Sequence, residues 1–100
     1  MAKLESKFQS ELKTQFEKLL PGCLVLVKPG FYIQGFPDLV ILYKNQWVAL
    51  EVKKSLASPY EPNQEWWIGE LDQMGFASMI CPENCQEIID EVLRSFGASR

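Results

Sequence analysis

Apolar residues recur at intervals of three or four positions along the first twenty residues of the chain. They are Leu4, Phe8, Leu12, Phe16 and Leu19. This spacing is typical of an amphipathic helix, so we expect a helix over residues 3–20. The Pro21-Gly22 pair that follows predicts the end of that helix.

Three apolar runs in the next part of the chain have the length and composition of strands. They occupy residues 23–28, about 38–43 and about 46–53. The second and third runs are nearly continuous in apolar residues, which favours strands that are covered on both faces. Residues 29–37 contain two glycines and two prolines, so we expect a loop there.

The second half of the chain predicts helix, strand and helix in turn. After a loop at 55–62, a helix is expected over about 62–74, with Pro62 near its first turn and Gly75 as its cap. A strand is expected at 76–80 and a last helix at about 83–96. The apolar face of that helix consists of Ile88, Ile89, Val92, Leu93 and Phe96. The predicted order is αβββαβα, in one α/β domain spanning residues 1–100.

Composition removes several kinds of chemistry from consideration. The chain has no histidine, which excludes His-based acid–base catalysis, Ser-His-Asp and Cys-His nucleophiles, and His-ligated zinc. Cys23, Cys81 and Cys85 lack the spacings of a zinc site, so we expect reduced, mostly buried thiols. Catalysis, if present, is expected to use carboxylates, lysine or a hard metal ion.

Charge is divided unevenly along the chain. The net charge of −3 and the low isoelectric point weigh mildly against a nucleic-acid partner. However, residues 1–54 carry eight lysines and five acidic residues, net +3, whereas residues 55–100 are net −6. No apolar run approaches the ~18 residues of a membrane span, and the N-terminus lacks the apolar block of a secretory signal. We therefore expect an intracellular protein with no membrane partner.

Charged residues lie at one end of the predicted hairpin. If Lys44-Asn45 form a two-residue turn, counting back places Asp38 directly opposite Glu51, and a three-residue turn would make the pair diagonal. Either register brings the two carboxylates within ~5–8 Å. Lys53 is two residues beyond Glu51, so both side chains leave the same face of the strand.

Two neighbouring buried carboxylates repel, and a divalent cation between them removes that cost. Oxygen ligands suit Mg²⁺ or Mn²⁺, which can polarise a phosphate oxygen and activate water. Lys53 would then orient the water or stabilise developing negative charge. The alternative is purely structural, with Asp38 capping the loop and Glu51 and Lys53 forming a surface ion pair.

The first predicted helix offers three further carboxylates. Glu5 precedes the apolar residues of the helix by 3, 7, 11 and 14 positions and so shares their face, as does Gln9. Glu11 lies on the flank of that face and Glu17 points away from it. Glu5 is therefore preferred to Glu11 as a ligand, and a solvated role for Glu5 is the alternative.

Gln64 lies in the first turn of the second predicted helix, where a polar residue needs no functional reason. Trp66 and Trp67 follow it and point about 100° apart. Trp67, in step with Leu71 and Met74, is predicted to be core. Trp66 is the candidate for a dimer or DNA contact.

Several motifs together resemble a known family. "PD", twelve intervening residues and "EVK" look like the signature of the PD-(D/E)XK nuclease superfamily. "GFPDL", "PNQEWWIGELDQMGF", "ENCQEIIDEVL" and "ESKFQSELKTQFEKLLPG" are similar to stretches of its VRR-NUC family, in stand-alone proteins of phage or bacterial type. The resemblance covers nearly the whole chain. It departs from the family where the Val-Arg-Arg run would fall, near Met79-Ile80-Cys81, because no arginine is there.

The resemblance implies a restriction-endonuclease-like αβββαβα core, with a central mixed sheet flanked by helices, and metal-dependent hydrolysis of DNA to 5′-phosphate and 3′-hydroxyl ends. It implies a site from the hairpin and the first helix: Asp38, Glu51, the Val52 carbonyl and Glu5 as ligands, with Lys53 acting beside them. It also favours Gln64 as a group that hydrogen-bonds water or phosphate, and Gln9 as the partner of Glu5.

The expected function is therefore that of a Mg²⁺- or Mn²⁺-dependent DNA endonuclease. Dimeric Holliday junction resolvases share this core, so the resemblance also implies a homodimer, a preference for four-way junctions, and work in DNA repair or recombination. It places the protein in the cytoplasm of a bacterial cell or phage-infected host. The alternative is a catalytically silent module on the same fold that binds nucleic acid or protein, which the acidic C-terminal half favours.

Overall fold

The structure is a computed structural model that describes the backbone of residues 2–98 and the side chains of residues 5–98. Its elements are α1 (Ala2–Leu19), β1 (Leu24–Val27), β2 (Leu39–Tyr43), β3 (Gln46–Val52), α2 (Gln64–Met74), β4 (Phe76–Ile80) and α3 (Cys85–Ser95). The predicted order αβββαβα is confirmed. Of the helices within residues 2–98, none combines the length and the apolar character that crossing a membrane requires.

The strands form a four-stranded mixed sheet in the order β1-β2-β3-β4. β2 is antiparallel to both β1 and β3. The chain then returns through α2, and β4 runs parallel to β3. Of the two turns that the sequence allowed, the hairpin has the two-residue one, with Tyr43 opposite Gln46 and Leu39 opposite Leu50. One step beyond that last pair, the register brings Asp38 opposite Glu51.

One face of the sheet carries the hydrophobic core. Alternate residues of each strand, such as Ile41, Val48 and Leu50, pack there against α1 and α3. The predicted stripe of α1 is confirmed by buried Leu12 and Phe16, although the side chain of Leu4 lies outside the described residues. The apolar face of α3 is also confirmed, since its five predicted residues are all buried.

The second face of the sheet is only partly covered. β3 is buried on both faces from Val48 to Val52, as predicted, but on β2 the prediction holds for the core face alone. None of the residues of α2, all of which are described, is fully buried. Trp67 is half-buried against the ring of Phe36 and Met74 is exposed, so the predicted core stripe on α2 is wrong. Trp66 is exposed, as its predicted contact role requires.

The three cysteines form no disulfide bond, as predicted. Cys23 and Cys81 are buried, and Cys85 is partly buried. The Cys23 thiol donates a long hydrogen bond to the Phe16 carbonyl, and burial raises the pKa of this thiol. These features are those of structural thiols rather than reactive ones.

The loop of residues 29–37 packs backbone to backbone against the residues just before α2. Gly35 has a φ of +85°, and a Cβ built there would lie 2.6 Å from the carbonyl carbon of Asn63. Asn63 itself has a φ of +71° and donates a side-chain hydrogen bond to Gln34, 3.3 Å long. Only glycine therefore fits at position 35, and the contact fixes where α2 begins.

Gly35→Ala should destabilise the protein by more than Gly22→Ala does. Gly22 also has a positive φ but open space around its Cβ position, so alanine there pays only the backbone cost, about 1–2 kcal/mol. Alanine at 35 adds overpacking against backbone, about 1–3 kcal/mol more. Urea unfolding with matched m-values measures both. Equal midpoints for the two variants would show that the contact with Asn63 contributes nothing.

Candidate active site

The hairpin brings Asp38 and Glu51 to one end of the sheet. Asp38 immediately precedes β2, and its Oδ2 accepts a 3.0 Å hydrogen bond from the N–H of Val52. Glu51 lies next to last in β3 and is only 2% exposed. Strand alternation turns Glu51 and Lys53 away from the core face, because Leu50 and Val52 occupy it.

Glu51 is buried without full compensation for its charge. Its Oε2 accepts a 2.7 Å hydrogen bond from Gln64 and lies 3.8 Å from the Lys53 ammonium, but its buried Oε1 has no hydrogen-bond partner among the described residues. Burial, reinforced by the nearby carboxylate of Asp38, raises the pKa of Glu51 to about 8, and Lys53 opposes the shift. The surroundings of Glu51 therefore favour neutralisation of its charge, by a proton or by a cation, over the bare carboxylate.

Gln64 joins the two buried charged groups. Its amide nitrogen donates to Glu51, and its amide oxygen accepts from Lys53 Nζ at 2.8 Å and from the N–H of Glu61 at 2.7 Å. The bond to Glu61 is the ordinary polar role of a helix start, and the contacts with Lys53 and Glu51 place Gln64 in the same cluster as the hairpin residues. Lys53 is itself buried, and Gln64 holds its ammonium beside the carboxylate.

A cleft of about 110 Å³ opens beside Asp38. Glu5 and Gln9 line it together with Asp38 and Val52, as do Ser6 and Lys28. The two other glutamates of α1 lie elsewhere. Glu11 is exposed, and Glu17 pairs with Lys13 at 2.7 Å.

The donor set fits a hard divalent cation, though not a cage made only of side chains. Within residues 5–98, no group of three or more Asp, Glu, Cys or His side chains is arranged to hold a metal ion. Asp38 and Glu51 could supply carboxylate oxygens as ligands, and the buried Oε1 of Glu51 has no hydrogen-bond partner among the described residues. Mg²⁺ and Mn²⁺ are commonly bound by one or two carboxylates plus water, which this arrangement can provide.

Two residues beside the site were not found from the sequence. Lys28 has a φ of +50°, donates its N–H to the Asp38 carbonyl at 2.6 Å and places its side chain along the cleft. Tyr60 lies with its ring 6.0 Å from Lys53 Nζ, and its pKa is raised, by burial first and then by Glu65 and Glu51. The charge excess of residues 1–54 was the only signal for Lys28, and Tyr60 had none.

Three lysines, Lys7, Lys28 and Lys54, form what we call the basic rim near the carboxylates. Lys28 lies on one side of Asp38, and the exposed Lys7 and Lys54 line a neighbouring groove of about 510 Å³ between α1 and the start of α3. Lys28 thus lines the cleft itself, whereas Lys7 and Lys54 line the groove together with Glu11. This rim can attract a polyanion to carboxylates that would otherwise repel it.

Glu51 predicts a pH dependence of stability. Because the pKa of Glu51 is raised from 4.5 to about 8 in the folded protein, the native state keeps a proton that the unfolded chain has lost between these values. The free energy of unfolding therefore falls as pH rises across this interval. Glu51→Gln keeps an acceptor for Gln64 and removes the titration. In metal-free buffer, we expect similar melting temperatures for both proteins near pH 4.5 and a higher one for the variant above pH 8.

Glu17→Gln is the matched control, because Glu17 is exposed and paired only with Lys13. Its melting curve should follow that of the wild type across the range. If the Glu51→Gln and wild-type curves run parallel from low to high pH, then Glu51 does not carry a raised pKa.

Comparison with known proteins identifies the fold. No protein-family model matches the sequence, and no curated protein matches it. A solved structure described as a VRR_NUC domain protein superposes with a TM-score of 0.64 over 96% of this chain and 95% of the other, at 18% identity. Likeness at that identity concerns the fold alone. The chain therefore has a VRR-NUC-like fold, a mixed sheet flanked by helices as in restriction endonucleases.

Proposed function

We propose that this protein is a metal-dependent DNA endonuclease that hydrolyses phosphodiester bonds. The observation that carries the proposal is the Asp38–Glu51–Lys53–Gln64 cluster. A buried carboxylate oxygen of Glu51 has no hydrogen-bond partner among the described residues, and Asp38 lines a cleft with Lys28. Nuclease chemistry is what a VRR-NUC-like fold suggests, and the cluster supplies the residue types that this chemistry needs.

Asp38 and Glu51, with the main-chain carbonyl of Val52, are proposed to hold Mg²⁺ or Mn²⁺. Glu5 is proposed to act from the other wall of the cleft, directly or through a water molecule. When bound there, the ion supplies polarisation of a phosphate oxygen and activation of water. A cation held there would offset the repulsion between the two carboxylates and the desolvation of Glu51, which are the causes of the raised pKa of Glu51.

Lys53 and Gln64 are proposed to act on the phosphate and the attacking water. The Gln64 amide oxygen and the Glu51 carboxylate hold the Lys53 ammonium in place. The N–H groups of the ammonium that are not donated to Gln64 therefore have a fixed direction. A preorganised cation in a poorly solvated site stabilises charge that develops on a phosphate oxygen. Gln64 couples the two groups because both of its polar atoms are engaged with them.

Asp38→Ala should abolish metal-dependent nicking of a supercoiled plasmid while leaving the fold intact. It should also abolish the rise in melting temperature that Mn²⁺ produces in the wild type, because a bound ion stabilises only the native state. Circular dichroism establishes that the variant is folded. Nicking by Asp38→Ala at the wild-type rate would remove Asp38 from the site. A wild-type protein that binds DNA without nicking would instead favour the silent binding module.

Glu5→Gln should lower the cleavage rate by at least about tenfold, or ~1.4 kcal/mol in the barrier. Its matched control is Glu17→Gln, on the same helix but paired with Lys13 in solvent, which should cleave like the wild type. Initial rates on one plasmid substrate measure both variants. A full loss in Glu11→Gln together with a normal rate in Glu5→Gln would transfer the role to Glu11.

We further propose a homodimer that prefers four-way junctions. One basic rim contacts few phosphates and would bind weakly at physiological salt, whereas a twofold dimer presents two rims and two clefts together. The exposed Trp66, with Met74 on the same helix, offers apolar surface for such an interface.

Light scattering at micromolar concentration should give twice the mass of one chain, and Trp66→Ala should shift it toward the monomer. Cleavage of a four-way junction should exceed that of a linear duplex of the same sequence. A monomer mass together with equal cutting of both DNAs would contradict both parts of this proposal.

A further inference from the structure

Two aromatic residues lie in solvent beside the candidate active site. Phe31 is 72% exposed and Tyr32 is 88% exposed, and their rings contact each other with centroids 4.0 Å apart at an interplanar angle of 33°. Aromatic side chains in globular proteins are usually largely buried, because each removes a large apolar area from water. A paired, solvent-facing aromatic surface therefore has no role in the packing of this chain.

Main-chain hydrogen bonds and one aromatic contact stabilise the loop of residues 29–37, which carries the pair. Ile33 donates its N–H to the Gly30 carbonyl at 2.7 Å, and Phe36 donates to Ile33 at 3.1 Å. The Phe36 ring packs edge-on against Trp67 and lies where a Cβ on Gly30 would be, 2.7 Å away. These two turns and the Phe36–Trp67 contact therefore fix the backbone of the loop that exposes Phe31 and Tyr32 at its tip.

The same loop is continuous with the carboxylate cleft. A cavity of about 200 Å³ runs beneath it, lined by loop residues that include Phe31 and ending at Lys28 and Asp38. Lys28 and Asp38 also line the cleft that contains Glu5. The aromatic pair, a lysine and the candidate metal-binding carboxylate therefore lie along one connected surface.

We propose that Phe31 and Tyr32 stack on a nucleobase that is unpaired next to the cleaved phosphodiester. The proposal rests on the proposed nuclease function and specifies its substrate class: DNA with an unpaired base at the cleavage position, as in a flap, a gap, a single strand or an open branch point. Aromatic side chains beside a cationic groove are the usual platform for single-stranded nucleic acid, since every base has a face that can stack.

A base fits this surface better than an apolar protein partner does. The exposed rings stand next to the Lys28 side chain and above a cavity that ends at a carboxylate, so any occupant must be both flat and compatible with charge. A nucleotide combines a stacking face with a phosphate that Lys28 can attract. In a continuous duplex the base faces are covered by their neighbours, so only an unpaired or unstacked base can reach the pair.

Binding measured without cleavage tests this inference. The wild type, in EDTA, is titrated against two fluorescein-labelled DNAs of one sequence, a continuous duplex and a duplex with a single-stranded flap. A second flap DNA carries 2-aminopurine at successive positions around the branch. We expect tighter binding of the flap DNA and a stacking-dependent change of 2-aminopurine emission at one position.

The variant Phe31→Ala/Tyr32→Ala should weaken flap binding by about tenfold or more, within the range of lost base–aromatic stacking, and leave duplex binding unchanged. Tyr32→Phe keeps the ring and should bind like the wild type. Leu24→Ala, which truncates a similarly exposed apolar residue at the end of β1 remote from Lys28, is the matched control and should change neither affinity.

Several outcomes would overturn the inference: unchanged flap affinity in the double variant, an equal loss for flap and duplex, or a wild type that binds neither DNA. A double variant with an altered mass in light scattering would show that the pair is a contact between copies of the chain. The proposed nuclease function is tested apart from this. If the wild type nicks DNA and Asp38→Ala does not, nuclease function stands whatever the aromatic variants do.

Discussion

The rest of this structure depends on one pair of residues, Asp38 and Glu51, held opposite each other by a two-residue hairpin turn. The turn fixes the register, and the twofold period of a strand then turns Glu51 and Lys53 off the core face. A buried carboxylate next to another carboxylate is unfavourable unless something compensates it. The contacts around it are partial compensations: a main-chain N–H on Asp38, an amide and an ammonium on Glu51.

The two faces of the sheet consequently serve different purposes. The face covered by α1 and α3 contains the apolar cluster that stabilises the fold. On the opposite face α2 packs against β3 and β4, and it contributes no fully buried side chain. Its position is better explained by its first residue, Gln64, which reaches Glu51 and Lys53. A helix placed by polar contacts at one end can leave residues such as Trp66 and Met74 in solvent.

The sequence could predict those features of the fold that depend on residues close together along the chain, but not those that depend on contacts between distant segments. Element order and the α1 stripe depend on spacing within about twenty residues, and the structure agrees with both. Spacing narrowed the hairpin to two registers, and the structure has the one with a two-residue turn. The burial of α2 depends on where the helix lies on the sheet, which periodicity does not contain, so Trp67 and Met74 were misassigned. Gly35 could be assigned to a loop, but its contact with Asn63 joins segments 28 positions apart. The positions of Lys28 and Tyr60 beside the site likewise depend on tertiary contacts.

Main-chain contacts join the loop to the carboxylates, and this links the proposed phosphate site to any recognition next to it. Lys28 and Asp38 bracket the loop and are joined by a 2.6 Å main-chain hydrogen bond. Gly35 fixes the same loop against the residue before Gln64, so the loop contacts both strands of the site: Asp38 by its end and Glu51 through Gln64. Because these are backbone contacts, the separation between the aromatic tip and the carboxylates is set by the fold. A ligand group held at the tip is therefore positioned relative to Asp38 without any further ordering of the protein, which is the entropic advantage of a preorganised site.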